Sequence, residues 1–355
     1  MRKLDRTLFY LVLTLTFLGL IAVADASAPQ ALASFDDKFF FLKQQSLWAV
    51  IGVIALFIFS KIKYTFWQRF ATPFFWTSVT LLVLVLIPGL SYKAFGARRW
   101  IDLGFFSFQP TEIIKLALVM YFAKLANNAK ATSSYLIPIV AILGLIMLQP
   151  DLGTALVISA ISFSQIFVSG ISLMHLIVTG VLGLLSVAGL ILISPYRRDR
   201  LTTFLEATSD PLGKGYHIRQ ILLALGSGGL IGIGIGGSRQ KYLFLPEASS
   251  DSIFAVIAEE TGLIGATIII SLFILFLLKG FKIARNAPDK FSKVVAVGIT
   301  SWIAGQAFLN IASMVSLVPL TGVPLPFFSY GGSSLVMILS ACGILLNISK
   351  WTKKQ

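Results

Sequence analysis

The sequence predicts an all-α integral membrane protein, and three observations carry that prediction. Of the 355 residues, 56% are hydrophobic and only 12% charged, and the mean hydropathy is +0.87, far from the composition of soluble domains. Apolar runs of roughly 15 to 27 residues recur along the chain, the length a helix needs to cross a hydrocarbon core of about 30 Å. Lys and Arg also fall unevenly between alternate links, as expected where cytoplasmic segments retain basic residues.

The runs place about ten transmembrane helices near 8–24, 44–60, 73–90, 110–126, 135–149, 152–169, 174–194, 252–278, 294–315 and 333–349. The fourth and fifth are short enough to be re-entrant on length alone. With the N-terminus inside, the inner segments hold sixteen Lys and Arg against two acids, Asp5 and Asp289. The net charge of +14 is then a cytoplasmic bias, which points to topology and phospholipid contact and away from nucleic acid. Both termini are expected in the cytoplasm, and residues 1–355 read as a single polytopic membrane domain.

"MRKLDRTLFYLVLTLTFLGLIAVADASA" has the basic start, apolar core and small-residue end of a secretory signal. Nine further spans follow it, and an uncleaved first helix keeps the charge pattern coherent. Cys342 lies in an apolar span, and His175 and His217 are far apart in sequence, so no disulfide framework or zinc site is expected. In "FSFQPTEIIKLALVMYFAKLA", Gln109 and Pro110 mark a helix start. Glu112 and Lys115, three residues apart, share a helical face and read as a structural ion pair inside the membrane. Asp151 in "LQPDLGTALV" reads as a helix cap.

Between the seventh and eighth spans lies the longest non-spanning stretch, residues 195–250, a large extracytoplasmic loop too long for a simple connection. Its apolar patches predict short helices on the outer leaflet. Arg197, Arg198, Arg200, Lys214, Arg219, Arg239 and Lys241 supply seven positive charges there. Guanidinium forks suit the oxygens of a lipid diphosphate, and the same side chains could equally snorkel toward ordinary lipid phosphates. "GIGIGGS" resembles part of a dinucleotide fingerprint, but no βαβ unit surrounds it, so its glycines read as tight turns or close backbone contacts.

"FLPEASSDSIFAVIAEE", residues 244–260, gathers Glu247, Asp251, Glu259 and Glu260. Ser249 and Ser250 are N-cap types, which puts Asp251 in the first turn of the eighth span, where the helix dipole favours an ionised carboxylate. Glu259 falls about 12 Å deeper at 1.5 Å per residue. Glu247 and Asp251 therefore belong to the outer mouth, and Glu259 and Glu260 to interhelical hydrogen bonds or ion pairs.

"GARRWIDLGFFSFQPTEIIKLAL", "QPDLGTA", "SDPLGKGYHIRQ", "GGSRQKYLFLPEASSDSIFAVIAEETGLIG" and "LTGVPLPFFSYGGSSL" together resemble the SEDS family of RodA and FtsW membrane proteins, in order and over essentially the whole chain. "GGSRQK" with "LPEA" is closer to the FtsW branch. The resemblance implies a ten-helix SEDS fold in the bacterial plasma membrane and a peptidoglycan glycosyltransferase that polymerises lipid II on the outer face, for division or elongation. By position, Asp251 matches the family's catalytic aspartate and Glu247 the glutamate of its Pro-Glu-Ala segment. The family's usual His-Thr before that aspartate and Phe after it are replaced here by Ser249, Ser250 and Ser252.

Asp251 would then be the general base for a sugar hydroxyl of lipid II attacking an undecaprenyl-diphosphate-linked glycan. The basic residues, alone or with Mg or Mn, would stabilise the departing diphosphate; oxygen ligands are present, but the sequence specifies no cage. The "VPLPFFSYGGSSL" turn borders the substrate cavity by the same resemblance, and a class B penicillin-binding protein transpeptidase is the implied partner. A lipid II flippase using Glu112, Lys115, Glu259 and Glu260 as a polar path, and a non-catalytic scaffold, are the competing readings. The paired broken helices of many transporters are not found in the sequence.

Overall fold

The structure, a computed structural model, describes residues 4–352 except 95–96, 103, 105–106, 128–132, 172–173, 175–176, 179, 182, 184–188, 190–197, 200–201 and 205–214. Helices α1 (Arg6–Phe35), α2 (Phe40–Lys61) and α3 (Tyr64–Leu84) are followed by a three-stranded antiparallel sheet, β1 (Ser91–Ala94), β2 (Ala97–Asp102) and β3 (Ser107–Phe108). Then come α4 (Pro110–Asn127), α5 (Ser133–Leu148), α6 (Leu152–Val168), α7 (Tyr216–Gly228), α8 (Ile253–Arg285), α9 (Lys290–Met314) and α10 (Gly332–Ser349). The predicted span 174–194 lies mostly outside the described residues. The sheet corrects the all-α reading: a short link carries too few residues for a hydrophobic period to declare it, and a hairpin satisfies its backbone groups within itself.

Five of these helices, α1, α2, α8, α9 and α10, are long and apolar enough to cross a membrane. Helices α4, α9 and α10 are buried on nearly every face and form the centre of the bundle. Around them α10 packs along α2, and α9 against α8, α6 and α4. The outer helices keep large apolar side chains exposed, such as Phe17, Ile54, Val140 and Leu278, which suits contact with lipid.

Specific hydrogen bonds bring distant helix ends together. The Asp5 N–H donates to Ser349 Oγ (3.1 Å), the Tyr64 N–H to Asn347 Oδ1 (3.0 Å), and the Lys350 ammonium to the Ser60 carbonyl (2.7 Å). Tyr64 also donates its hydroxyl to Asp289, the residue that caps α9. The start of α1, the α2–α3 link, the start of α9 and the end of α10 therefore share one end of the bundle, and the starts of α4, α6 and α8 lie at the other.

Helix α8 is broken at Gly262 (φ 67°, ψ −167°), and the glycine-rich segment after α7 fills the break. Ile233 and Gly234 donate their N–H groups to the carbonyls of Glu259 and Glu260 (3.1 and 3.0 Å). Leu263 and Ile264 donate theirs to Gly229 and Leu230 (3.0 and 3.2 Å). Polar backbone groups exposed by a break inside a membrane helix need such partners. "GIGIGGS" is thus a close backbone contact; a Cβ on Gly232 would stand 2.0 Å from the Glu260 carbonyl oxygen.

Side chains lock the same junction. Lys241, 4% exposed, places its ammonium 2.7 Å from Asp25 Oδ1 of α1 and 2.8 Å from Glu260 Oε1. The Ser238 N–H donates to Glu260 Oε1 at 3.0 Å, and its hydroxyl donates to Glu259. Burial works against the Lys241 charge, yet the hydrogen bonds to Asp25 and Glu260 hold its pKa above the ordinary lysine value. Lys241→Met leaves two carboxylates facing each other without a cation and is expected to destabilise the fold by about 3–5 kcal/mol. Thermal unfolding in detergent checks this, and a melting temperature equal to wild type would show that the ion pairs are dispensable.

Candidate functional site

At the end of the bundle away from the termini, the chain forms a cavity of about 180 Å³. Its wall combines Arg99 and Trp100 of β2, Glu112 and Lys115 of α4, Asp151 and Thr154 at the start of α6, Glu247, Ser250 and Asp251, and the 322–335 turn. Four carboxylates and two cations thus face one small volume, an arrangement that pocket chemistry favours for polar or charged substrates.

Asp251 reaches the wall through a stack of turns rather than through a helix. Glu247, at φ 53°, starts a turn in which its carbonyl accepts the N–H groups of Ser250 (3.1 Å) and Ser252 (3.0 Å). The Ser250 hydroxyl donates to Glu247 Oε2 at 2.5 Å. Helix α8 begins only at Ile253, with Ser252 as its N-cap and no side-chain capping bond. This corrects the expectation that Ser249 or Ser250 caps the helix and Asp251 lies in its first turn. Asp251 stands just before the helix, on a rigid turn near its positive end.

The 322–331 segment clamps that turn from the other side. Tyr330 donates its N–H to the Ser249 carbonyl (2.8 Å), and the Ser329 hydroxyl donates to the Ser250 carbonyl (2.6 Å). Gly322, at φ +68°, passes so close that a Cβ there would lie 3.3 Å from Asp251 Oδ2. From α7, the His217 ring nitrogen Nε2 lies 2.8 Å from the Ser252 hydroxyl. An imidazole therefore does stand beside the turn, supplied from another helix.

Lys115, 2% exposed, is held by Glu112 Oε1 (2.7 Å), by Gln306 Oε1 of α9 (2.9 Å) and over the Trp302 ring (5.1 Å to the centroid). Glu112 Oε2 is buried and has no hydrogen-bond partner among the described residues, which leaves an acceptor at the cavity wall. Asp151 caps α6 by accepting the Thr154 N–H (2.9 Å) and hydroxyl (2.9 Å). The expected ion pair and cap thus have the geometry the sequence suggests, and both also line the cavity. Arg99 uses Nε and Nη2 on the carbonyls of Gln149 (3.1 Å) and Pro150 (2.6 Å), which fixes the guanidinium plane beside Asp151.

No described member of the predicted basic cluster lines this cavity. Arg197, Arg200 and Lys214 lie outside the described residues. Arg198, Arg219 and Arg239 are exposed and line no part of this cavity, and the hydrogen bonds of Lys241 go to Asp25 and Glu260. Among the described residues, the cationic side chains at the wall are Arg99 and Lys115. Arg99 was legible only as part of a motif in a link; the sheet that aims it inward gives no periodic signal. Among the described residues, no group of three or more His, Cys, Asp or Glu side chains is arranged to hold a metal ion. The wall carboxylates thus form no all-protein cage, whereas Mg or Mn would need only one or two of them together with substrate phosphates and water.

Comparison with known proteins adds the following. The FtsW/RodA/SpoVE family model, described as a cell cycle protein, matches residues 5–354. Stage V sporulation protein E of Bacillus subtilis is 45% identical, with 98% of each chain covered. A probable peptidoglycan glycosyltransferase FtsW of Trichlorobacter lovleyi is 40% identical, over 98% of this chain and 94% of the relative. A solved chain, from work on coordination of polymerization and crosslinking by a peptidoglycan synthase complex, superposes with a TM-score of 0.81. It is 29% identical, with 98% of each chain covered.

Proposed function

The chain belongs to the FtsW/RodA/SpoVE family and is a multi-pass membrane peptidoglycan glycosyltransferase; from that premise we propose that it polymerises lipid II with Asp251 as general base. The observation that carries the proposal is the placement of Asp251 on the wall of a cavity shared with Arg99, Lys115 and Glu112. The donor is a glycan on undecaprenyl diphosphate, and the acceptor is the 4-hydroxyl of a second lipid II. Asp251 takes the hydroxyl proton, the oxygen bonds to the donor's anomeric carbon, and the bond from that carbon to the diphosphate breaks. A diphosphate leaves as an anion, so a second carboxyl group need not protonate it as in a glycosidase.

Arg99 and Lys115 are the cations best placed for the developing charge on that diphosphate. The exposed Arg198, Arg219 and Arg239, with Arg197, Arg200 and Lys214, are proposed to hold headgroups outside the cavity, and Glu247 to orient the acceptor through the Asp251 turn. Arg99→Ala is expected to raise KM for lipid II and lower kcat/KM about tenfold or more. Steady-state polymerisation kinetics check this, and an unchanged kcat/KM would assign the diphosphate to the exposed arginines.

The charged end of the bundle, with both described chain ends, is proposed to face the cytoplasm, and the cavity the outer side of the bacterial plasma membrane. A class B penicillin-binding protein transpeptidase is the proposed partner, by analogy with the synthase complex that couples polymerisation to crosslinking. The FtsW-named relatives favour a role in division, for which depletion should give filaments; rounded cells would indicate side-wall growth instead. Incubating the purified protein and its partner with lipid II tests the activity itself. Polymer supports the enzyme, whereas lipid II crossing liposomes without polymer would support a flippase.

A further inference from the structure

We propose that Asn310 and Gln306 of α9 are positioning residues for the reaction, a rail that sets Asp251, Lys115 and the 322–324 loop in one register. The inference rests on the reading of Asp251 as the base. Trp302, Gln306 and Asn310 stand four residues apart, hence on one face of α9, and all are at most 1% exposed. Asn310 donates both hydrogens of Nδ2, one to the Asp251 carbonyl and one to the Val323 carbonyl, each at 2.8 Å. Gln306 donates Nε2 to the Pro324 carbonyl (2.9 Å), while its Oε1 accepts from Lys115 (2.9 Å) and from the Trp302 ring N–H (3.0 Å).

These bonds do more than fill a core. Asn310 joins the backbone of Asp251 to the backbone of Val323, next to the Gly322 that skirts the carboxylate. One turn earlier, Gln306 joins the neighbouring Pro324 to the Lys115 ammonium. The proposed base and the proposed diphosphate cation thus hang from the same helix face at two adjacent turns, about 6 Å apart along its axis. Both partners of Asn310 Nδ2 are carbonyl acceptors, so only the amide nitrogen can face them. Its Oδ1 is buried with no partner among the described residues, and the side chain keeps this orientation despite that loss.

The test compares Asn310→Asp and Asn310→Ser with Asn347→Asp, all measured per folded molecule with purified lipid II and the partner. Asn347 is a buried asparagine at the opposite end of the bundle, where it holds Ser60 and Tyr64, so its substitution reports the structural loss alone. Asn310→Asp places an oxygen against two carbonyl oxygens; kcat should fall about 10- to 100-fold with KM within about twofold. Its acid limb in the pH–rate profile should also move to higher pH, because a second carboxylate then neighbours Asp251. Asn310→Ser draws the donor back from both carbonyls without adding a charge and should also lower kcat, which covers the case in which the Asp variant fails to fold.

If the Asn310 variants turn over like Asn347→Asp with an unshifted pH profile while Asp251→Asn is inactive, the positioning role is overturned and the base reading stands. If Asp251→Asn itself turns over like wild type, the base reading fails first and takes this inference with it.

Discussion

Gly232→Ala is expected to unfold the junction between α7 and α8, with a destabilisation on the order of 5 kcal/mol. The new methyl would lie 2.0 Å from the Glu260 carbonyl oxygen, 2.4 Å from its carbon and 2.7 Å from the Gly262 nitrogen. All three are backbone atoms of the helix break, so no side-chain rotation relieves the overlap. The φ of +90° adds strain for any residue with a Cβ. Pushing the segment away also removes the four hydrogen bonds that satisfy the break at Gly262. Gly234→Ala is the matched control: its φ is +98°, but nothing lies within 4 Å of the added atom, so only about 1–2 kcal/mol should be lost. Thermal unfolding of both variants in detergent separates contact from strain. Equal losses would show that the loop does not seat tightly in the break.

Most described helices were legible because a long apolar helix announces itself by length and apolarity, independent of its neighbours. The observed starts and ends of α4, α6 and α10 fall within about two residues of those expected from hydropathy, proline and capping types alone. Glu112 and Lys115 were legible as a pair, because three residues on a helix fix their proximity. What those pairs face was not legible. Lys115 meets Gln306 across 191 residues of chain, and Asp251 meets Asn310 across 59, with helix α8 between them. Such contacts are set by how α4, α8 and α9 cross, which no local period records. The Gly262 break was hidden for the same reason: a single glycine in an apolar run is compatible with a continuous helix until the partner loop is placed.

The described basic residues of the 195–250 stretch go different ways. Seven positive charges in one stretch suit a lipid diphosphate and ordinary lipid phosphates alike; of those described, Lys241 folds inward to Asp25 and Glu260 while Arg219 and Arg239 are exposed. Sequence proximity in a long loop does not imply a shared target. Among the described residues, Arg99, next to Arg98 in a link, is the arginine on the cavity wall.

Asp251→Asn is expected to leave the fold intact and to slow polymerisation at least about 100-fold, within the range of about 10²–10⁴ that general-base catalysis supplies. The side chain keeps its size, and the bonds that hold this turn run through the backbone carbonyls of Ser249, Ser250 and Asp251. The amide loses the capacity to take a proton. Asp251→Glu keeps that capacity but lengthens the side chain beside Gly322, where the space for one carbon is already 3.3 Å from the carboxylate. It should recover only part of the rate.

The central claim is tested most directly by the single-turnover rate of glycan formation from purified lipid II, with the partner present, for wild type and Asp251→Asn at equal folded amount. The account predicts polymer from wild type and a rate lower by at least about 100-fold in the Asn form, with lipid II binding retained. Equal rates from the two proteins would remove Asp251 from the chemistry and contradict the account.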